Sequence, residues 1–413
     1  MSEQTFIIAG ASLAGAKAAE ELRTQGFDGR VLLIGAEPER PYERPPLTKD
    51  YLRDESPREK TYVHAEGFYA AQQIELLTST TVTAIDPAAS TVRLGDGREL
   101  GFDRLLLSTG AEPRQIPIAG ADLDGVHYLR SLSDCDALRK RLDAGGHVVV
   151  VGAGWIGSEF AASARQRGLE VTVIDPIELP NERIFGSEVA GFYRDVHVQH
   201  GVELLLGEGV DSFEGSGTIA RVRTASGRTV DCDFAVVGIG VSPRDGLARD
   251  AGIEVDNGIL VDHKLQTSAP HVFAAGDVAN AWSPFFEQRI RVEHWANALN
   301  QGPAAARAML GDLVSYDRVP YFFSDQYDVG MEYSGYAPTW DEVVFRGDRA
   351  DGAFIAFWLH DARVVAGMNV NVWDVNEHIQ ALIRSRRSID VAALSDPGTP
   401  LESLTGDSTS AAG

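Results

Sequence analysis

Cysteine is scarce in this chain. There are two, Cys135 and Cys232, far apart and in neither a CxxC nor a CxxxxC pair. That excludes a disulfide framework and offers no metal-ligand spacing, so no metal is expected, and it fits a reducing, cytoplasmic setting. Positive charge is scarce too: Lys and Arg total 37 against 60 Asp and Glu, a formal net charge of −23. A surface of that sign does not seek nucleic acid or an anionic membrane. No apolar run approaches the ~18 residues of a membrane span. No basic stretch precedes the apolar Phe6–Gly10, as a signal peptide would require. At 413 residues and 23% charged, the expectation is two or three soluble globular domains.

Glycine, by contrast, is plentiful at 42 residues. Two places use it alike. VVVVGAGWIGSEFAA (Val148–Ala162) is a buried-strand run, a GxGxxG of Gly152, Gly154 and Gly157, and then a helix former. Gly152 permits the tight turn, Gly154 lets a pyrophosphate approach the backbone, and Gly157 lets the helix pack on the strand. Asp175 ends the next strand eighteen residues after Gly157. A carboxylate there accepts hydrogen bonds from a ribose diol and repels a 2′-phosphate, which favours NADH over NADPH. FIIAGASLAGAKAA (Phe6–Ala19) repeats the pattern as Gly10, Ser12 and Gly15, with serine in the middle place and Glu37 at the following strand end. Two such turns in one chain predict two nucleotide cofactors: a flavin dinucleotide held at the first turn and a nicotinamide dinucleotide exchanging at the second.

The rest of the chain reads as strands and hairpins around these units. TVRLGDGREL turns at Asp96-Gly97, RLLLSTG is a strand, and RVRTASGRTVDCDFAVVGIG turns at Ser226-Gly227. From Tyr321 the texture becomes strand-like and aromatic, ending in a helix over Val375–Arg386. This predicts an α/β protein of two Rossmann-like dinucleotide-binding domains, for FAD and NAD, with a C-terminal α+β domain. Leu401–Gly413 is small and polar and reads as a frayed tail.

The set GASLAG, ERPYERPPLTK (Glu39–Lys49), STGAEPR (Ser108–Arg114), GAGWIGSE, VFAAGDVA, VEHWANALNQG (Val292–Gly302) and SDQYD (Ser324–Asp328) resembles the ferredoxin reductases of oxygenase systems, which are glutathione-reductase-like flavoproteins. The resemblance runs from about residue 5 to 390. It implies a discontinuous FAD domain of residues 1–112 and 240–318, an inserted NAD domain of residues 113–239, a C-terminal domain of residues 320–400 and a flexible tail, 401–413. It implies FAD contacts at Gly10, Ser12, Ala14, Gly15, Glu37, Arg44, Pro45, Lys49, Val82, Thr109, Gly110, Arg130, Gly276, Asp277, Glu293, His294 and Trp295. It implies NAD contacts at Gly152, Gly154, Trp155, Ile156, Gly157, Glu159, Asp175, Arg183, Gly238, Ile239 and Gly240. Lys49, Glu159 and Trp295 would serve catalysis, Lys49 near the flavin ring with Glu159 as counter-ion. A helix start at Glu293–Trp295 would steady the negative charge of a reduced flavin. Phe323 stands where relatives often carry tryptophan, so an aromatic contact survives without its indole N–H.

No cysteine lies at RPPLTKDYL, where disulfide reductases of this fold carry CxxxxC. The implied chemistry is therefore electron delivery from flavin to a one-electron carrier, a 2Fe–2S ferredoxin, by a monomer or weak dimer. Arg384, Arg386 and Arg387 offer a basic patch for it, or merely a solvated helix end. Rubredoxin reductase, monodehydroascorbate reductase, NADH oxidase and a flavin-bearing interaction protein similar to apoptosis-inducing factors stay open at this stage.

Overall fold

The computed structural model describes residues 4–405. The chain divides into two compact units. One takes the chain up to Pro46, Ser56–Pro113 and Val241–Arg318; the other takes Leu47–Glu55, Arg114–Gly240 and the chain from Val319.

In the first unit the apolar runs FIIA, VLLI and RLLL form a parallel sheet, as strands buried on both faces do. Its order is Ile74–Leu77, Arg30–Ile34, Thr5–Ala9, Arg104–Leu107, Val272–Ala274. Ile7, Ile8, Leu33, Leu105 and Leu106 are fully buried. The order reverses between Thr5–Ala9 and Arg104–Leu107, the place where doubly wound sheets open a crevice at their carboxyl ends. The helix Leu13–Thr24 enters that crevice and lies against the helix Trp295–Leu310. Their crossing is close because Gly302 has no Cβ, which would lie 2.3 Å from the Ala14 carbonyl oxygen. The predicted hairpin at Asp96-Gly97 joins the antiparallel strands Thr91–Leu94 and Glu99–Gly101.

The second unit holds a matching parallel sheet, ordered Glu203–Leu206, Glu170–Asp175, His147–Val151, Phe234–Val237, Val126–Tyr128. It also holds a five-stranded antiparallel sheet ordered Tyr321–Gln326, Val329–Gly335, Arg363–Val370, Ala353–His360, Glu342–Asp348, followed by the helix Asn376–Ser385. An aromatic core of Phe185, Tyr193, Phe322, Tyr333, Phe354 and Trp358 belongs to both. The Trp358 indole donates to the Phe185 carbonyl at 3.0 Å. The short segment Leu47–Glu55 is bound here by several ties. The Ser163 hydroxyl donates to the Thr48 carbonyl at 2.6 Å, Arg167 donates to the Arg53 carbonyl at 2.9 Å, and the Cys135 thiol points at the Leu47 carbonyl.

The frayed-tail expectation needs correction over Leu401–Thr405, which form a 3-10 turn with Leu401 buried. The Arg346 guanidinium collects the carbonyls of Pro397 and Thr399 and so holds the approach to this turn. Residues 406–413 of the expected tail lie outside the described residues. Among the described residues no helix is long and apolar enough to cross a membrane.

Candidate functional site

The first glycine turn is forced by its surroundings. Gly10 has φ +126°, and a Cβ on it would lie 2.1 Å from the Ser108 carbonyl oxygen. A Cβ on Gly15 would lie 2.0 Å from the Gly10 carbonyl. The Ser108 hydroxyl donates to the Gly10 carbonyl at 2.8 Å and locks the turn against the neighbouring strand end. Ser12 is the N-cap of the helix Leu13–Thr24 but its hydroxyl caps no backbone N–H. The first N–H groups of the helix therefore face the crevice, ready for an anion.

A cavity of about 470 Å³ opens at this turn and is lined by Gly10, Ser12, Glu37, Arg44, Val82 and Thr109, six of the residues predicted from sequence. Ser108, Arg244 and Asp245 line it as well; none of them was predicted. Glu37 accepts from the Tyr42 hydroxyl at 2.5 Å and faces Arg44 at 3.5 Å. Burial pulls the Arg44 pKa down, but Tyr42, Glu37 and Asp277 more than offset it, so this guanidinium sits in an acidic ring. Ala14 and Gly15 are buried in the helix. The Gly276 N–H donates to Gln301 at 2.9 Å, which ties the Gly276-Asp277 loop to the long helix. His294 is the N-cap of that helix, with exposed Glu293 ion-paired to Arg291 before it and Trp295 as its first residue. Burial pushes the His294 imidazole down to about 4, against a smaller upward pull from Asp277, so it is neutral at pH 7. The Trp295 side chain holds Glu43, whose carboxyl burial raises. Pro45 opens a 3-10 turn after Arg44, and Gly110 precedes the short strand Ala111–Pro113. Lys49 and Arg130 belong to the second unit.

The second turn follows the same physics. Gly152 has φ +107°, its Cβ would lie 2.4 Å from the Gly238 carbonyl, and that of Gly157 would lie 1.9 Å from the Gly152 carbonyl. A Cβ on Gly154 would meet nothing within 4 Å, so this face of the turn is open for a ligand to lie on. Asp175 does more than its spacing suggests. One oxygen accepts from the Ala153 N–H at 2.6 Å and the other from the Ile177 N–H at 2.8 Å. It therefore clamps the turn and still has lone pairs for a ribose. Trp155 turns inward, edge-on to Phe185 and Phe322 at 5.2 and 4.9 Å. Ile156 is half-buried, Arg183 is exposed on the helix Glu182–Phe185, and Gly238–Gly240 follow the strand Phe234–Val237.

The structure brings Lys49 and Glu159 together at 2.6 Å, both side chains about nine-tenths buried. Glu159 also accepts from the Thr48 hydroxyl at 2.5 Å and the Ser324 hydroxyl at 2.7 Å. The Lys49 ammonium stands 5.5 Å from the Phe323 ring centroid, so phenylalanine gives the cation an aromatic face. Beside this group, His197 pairs with Gln326 at 2.9 Å and with the Tyr327 hydroxyl at 3.3 Å. Thr48, Ser324, Asp325, Gln326 and His197 had no predicted role. The SDQYD stretch carried the signal for three of them, but nothing in one sequence says what its side chains touch.

His197 has a measurable consequence. Burial pushes its imidazole down to about 4 from an ordinary 6.5. Between those values the unfolded chain binds the extra proton and the folded one does not. Stability is therefore whole above pH 6.5, is lost as pH falls from 6.5 to about 4, and loses nothing further from this group below that. The expected loss is about 3 kcal/mol. Denaturant midpoints over that range should fall in the wild type and flatten in His197→Gln.

Comparison with known proteins agrees with this geometry. Residues 4–302 match the pyridine nucleotide-disulphide oxidoreductase family, and residues 321–405 match the reductase C-terminal family. Putidaredoxin reductase of Pseudomonas putida is 35% identical over 409 residues, covering 98% of this chain and 97% of that protein. The biphenyl dioxygenase system ferredoxin–NAD(+) reductase component of Paraburkholderia xenovorans is 36% identical, covering 97% of this chain and 98% of its own. The reductase in the covalent putidaredoxin reductase–putidaredoxin complex superposes with a TM-score of 0.94 at 35% identity, over 98% of both chains. This chain belongs to the pyridine nucleotide-disulphide oxidoreductases and, within them, to the group of oxygenase-system ferredoxin reductases.

Proposed function

We propose that the chain is an NADH-dependent ferredoxin reductase. It takes a hydride from NADH and delivers the two electrons singly, through FAD, to a 2Fe–2S ferredoxin that supplies an oxygenase. The observation that carries this is the pair of glycine cradles, one at the strand-order reversal of each parallel sheet. FAD, when bound, accepts a hydride and releases electrons one at a time.

The residues fit both nucleotides. At the first turn Gly10, Ser12, Ala14 and Gly15 offer backbone N–H groups to a pyrophosphate, and Glu37 offers its carboxylate to an adenosine ribose. Asp277 is assigned to the ribityl side, and neutral His294 and Trp295 to the pyrimidine edge, with the start of their helix favouring negative charge there. At the second turn the open Gly154 accepts the pyrophosphate of NADH, Asp175 its ribose, and Arg183 its adenosine end. Lys49 and Glu159 form the charged pair assigned to the reacting edge of the flavin. The chain's own work is to hold, orient and keep charge in place.

A dithiol relay has no basis here. Cys135 and Cys232 are both free and buried. Burial, then Asp233 and Asp231, push the Cys232 thiol up to about 12. Neither should react with a thiol reagent at pH 8 in the native protein, and both should react after denaturation. NADH-driven electron transfer should survive that reagent unchanged.

The partner surface we assign includes Arg384, Arg386 and Arg387, exposed at the end of the helix Asn376–Ser385. Ferredoxin reduction should then quicken at low salt, and a flat response removes the patch from the account. The assembly assigned is a monomer or weak dimer. A coupled assay of the purified protein with NADH, a 2Fe–2S ferredoxin and cytochrome c tests the function. Cytochrome c reduction that depends on ferredoxin is expected; reduction that depends instead on rubredoxin contradicts it.

A further inference from the structure

The two oxygens of Glu159 are held in different ways. Oε2 takes the Lys49 ammonium at 2.6 Å and the Thr48 hydroxyl at 2.5 Å. Oε1 takes the Ser324 hydroxyl at 2.7 Å. That hydroxyl is itself held from behind. The Gln326 amide donates to the Ser324 oxygen at 3.3 Å, its other end meets His197 Nε2 at 2.9 Å, and His197 Nδ1 meets the Tyr327 hydroxyl at 3.3 Å. A continuous line of hydrogen bonds thus runs from Tyr327 to Glu159. Every member lies in the second unit, as do Lys49 and the cradle of Gly152, Gly154 and Gly157.

The line can be ordered in one way. An ionised carboxylate only accepts, so the single Ser324 proton points at Glu159. The Ser324 oxygen must then accept, and Gln326 must show it the NH2 end of its amide. The carbonyl end faces His197 and requires a proton on Nε2. Burial keeps this imidazole neutral at pH 7, with one N–H, so Nδ1 is bare and accepts from Tyr327. Every donor therefore points toward Glu159. Gln326 does not titrate, so the line orients a hydroxyl and conducts no proton. The fold also seals it. Ser324 and Gln326 lie two apart on the strand Tyr321–Gln326 and share its inward face. Glu159 comes from the helix Trp155–Gln166, and His197 from the helix Ser187–Gln199. Ser324, Gln326 and His197 are each no more than 2% exposed. At that burial a freed hydroxyl has no solvent to take the place of its partner.

We propose that Gln326 is a positioning residue for hydride delivery from NADH: its amide turns the Ser324 hydroxyl onto Glu159 and so holds the Lys49–Glu159 pair in one geometry. This rests on the ferredoxin-reductase reading and on its assignment of Glu159 to the NADH contacts. Glu159 lies two residues past Gly157, on the helix that opens at the second cradle. Without Gln326 the Ser324 hydroxyl is free to turn, and Oε1 loses a fixed donor. Oε2 keeps Lys49 and Thr48, so the carboxylate stays in the site but can swing about that end. A charged group set wrong by a fraction of an ångström slows the chemical step more than it weakens binding.

The test is a double-mutant cycle read by stopped flow, following reduction of the flavin-loaded protein by NADH. Gln326→Met keeps the volume and removes both ends of the amide. Its reduction rate at saturating NADH should fall about tenfold, with the half-saturating NADH concentration within about twofold of wild type. Ser324→Ala should fall at least as far, and Ser324→Thr, which returns the hydroxyl, should regain most of the rate. Because Gln326 acts through Ser324, the double variant should be no slower than Ser324→Ala alone. Reduction of Gln326→Met at the wild-type rate overturns the proposal. So do losses that multiply in the double variant, which would mean two independent packing effects, or a change confined to the half-saturating concentration. Should Gln326→Met fail to fold, Ser324→Ala against Ser324→Thr decides, and equal rates in those two overturn it. A wild-type protein that NADH does not reduce would instead sink the functional reading on which the proposal rests.

Discussion

Replacing Gly157 by alanine should abolish NADH-driven reduction and leave the flavin in place. The added Cβ would lie 1.9 Å from the Gly152 carbonyl oxygen and 3.0 Å from its carbon. Both are backbone atoms of the turn itself, so no flexible side chain can move aside. The start of the helix Trp155–Gln166 must lift from the strand His147–Val151, and the N–H groups that face the pyrophosphate leave their positions. A displacement of this kind costs on the order of 100-fold in kcat/KM for NADH. The matching change at the first turn, Gly15→Ala, puts a Cβ 2.0 Å from the Gly10 carbonyl. That protein should purify colourless. The pair is diagnostic because one variant loses the yellow cofactor and the other loses only its reductant. A Gly157→Ala protein with wild-type kcat/KM for NADH would mean the second cradle holds no nucleotide.

Removing Glu159 should have the largest effect on stability. Its carboxylate sits against the Lys49 ammonium at 2.6 Å with about a tenth of either side chain exposed. Glu159→Ala would leave a buried cation unpaired and the Thr48 and Ser324 hydroxyls without their acceptor. Breaking such a pair from one side costs about 3–5 kcal/mol, far more than the net worth of the pair itself. Replacing both partners at once, as Lys49→Met with Glu159→Leu, should recover much of that loss, because no buried charge is stranded. It should not recover electron transfer if the pair serves the chemistry. Thermal unfolding of the three proteins, with ferricyanide reduction as the activity readout, gives the answer. A double variant as unstable as Glu159→Ala would show that packing, not charge, is what Glu159 supplies.

Much of the fold could be read in the sequence because its signals are local. FIIA, VLLI and VVVV are continuous apolar runs, which only strands buried on both faces require, and each became the centre or neighbour of a parallel sheet. The glycines at 10, 15, 152 and 157 were readable because the backbone itself fills the place of their Cβ atoms. Position 12, the N-cap of the helix Leu13–Thr24, has extended backbone that any residue adopts, so serine stands there without strain.

What escaped was set by contacts far apart in the chain. Nothing local says that Leu47–Glu55 leaves its sequence neighbours to join the second unit; Ser163, Arg167 and Cys135 decide it. Spacing gave Asp175 a ribose to bind but could not reveal its bond to the Ala153 N–H. A consequence is that Asp175→Ala would loosen the turn as well as relax nucleotide choice. The polar composition of 401–405 hid the single buried Leu401. Ser324, Asp325 and Gln326 alternate in and out of an edge strand, and the partners of the buried Ser324 and Gln326, Glu159 and His197, come from helices more than a hundred residues earlier.

The central claim is that hydride enters from NADH and electrons leave singly with no thiol relay between. An anaerobic spectral titration of the purified yellow protein tests it most directly, with NADH in one series and NADPH in another. Bleaching should be complete at about one equivalent of NADH, since FAD takes one hydride and no disulfide takes a second. Bleaching with NADPH, which Asp175 repels, should be far slower. Uptake of about two equivalents would place a second two-electron acceptor in the chain, and a spectrum unmoved by NADH would contradict the reductase assignment itself.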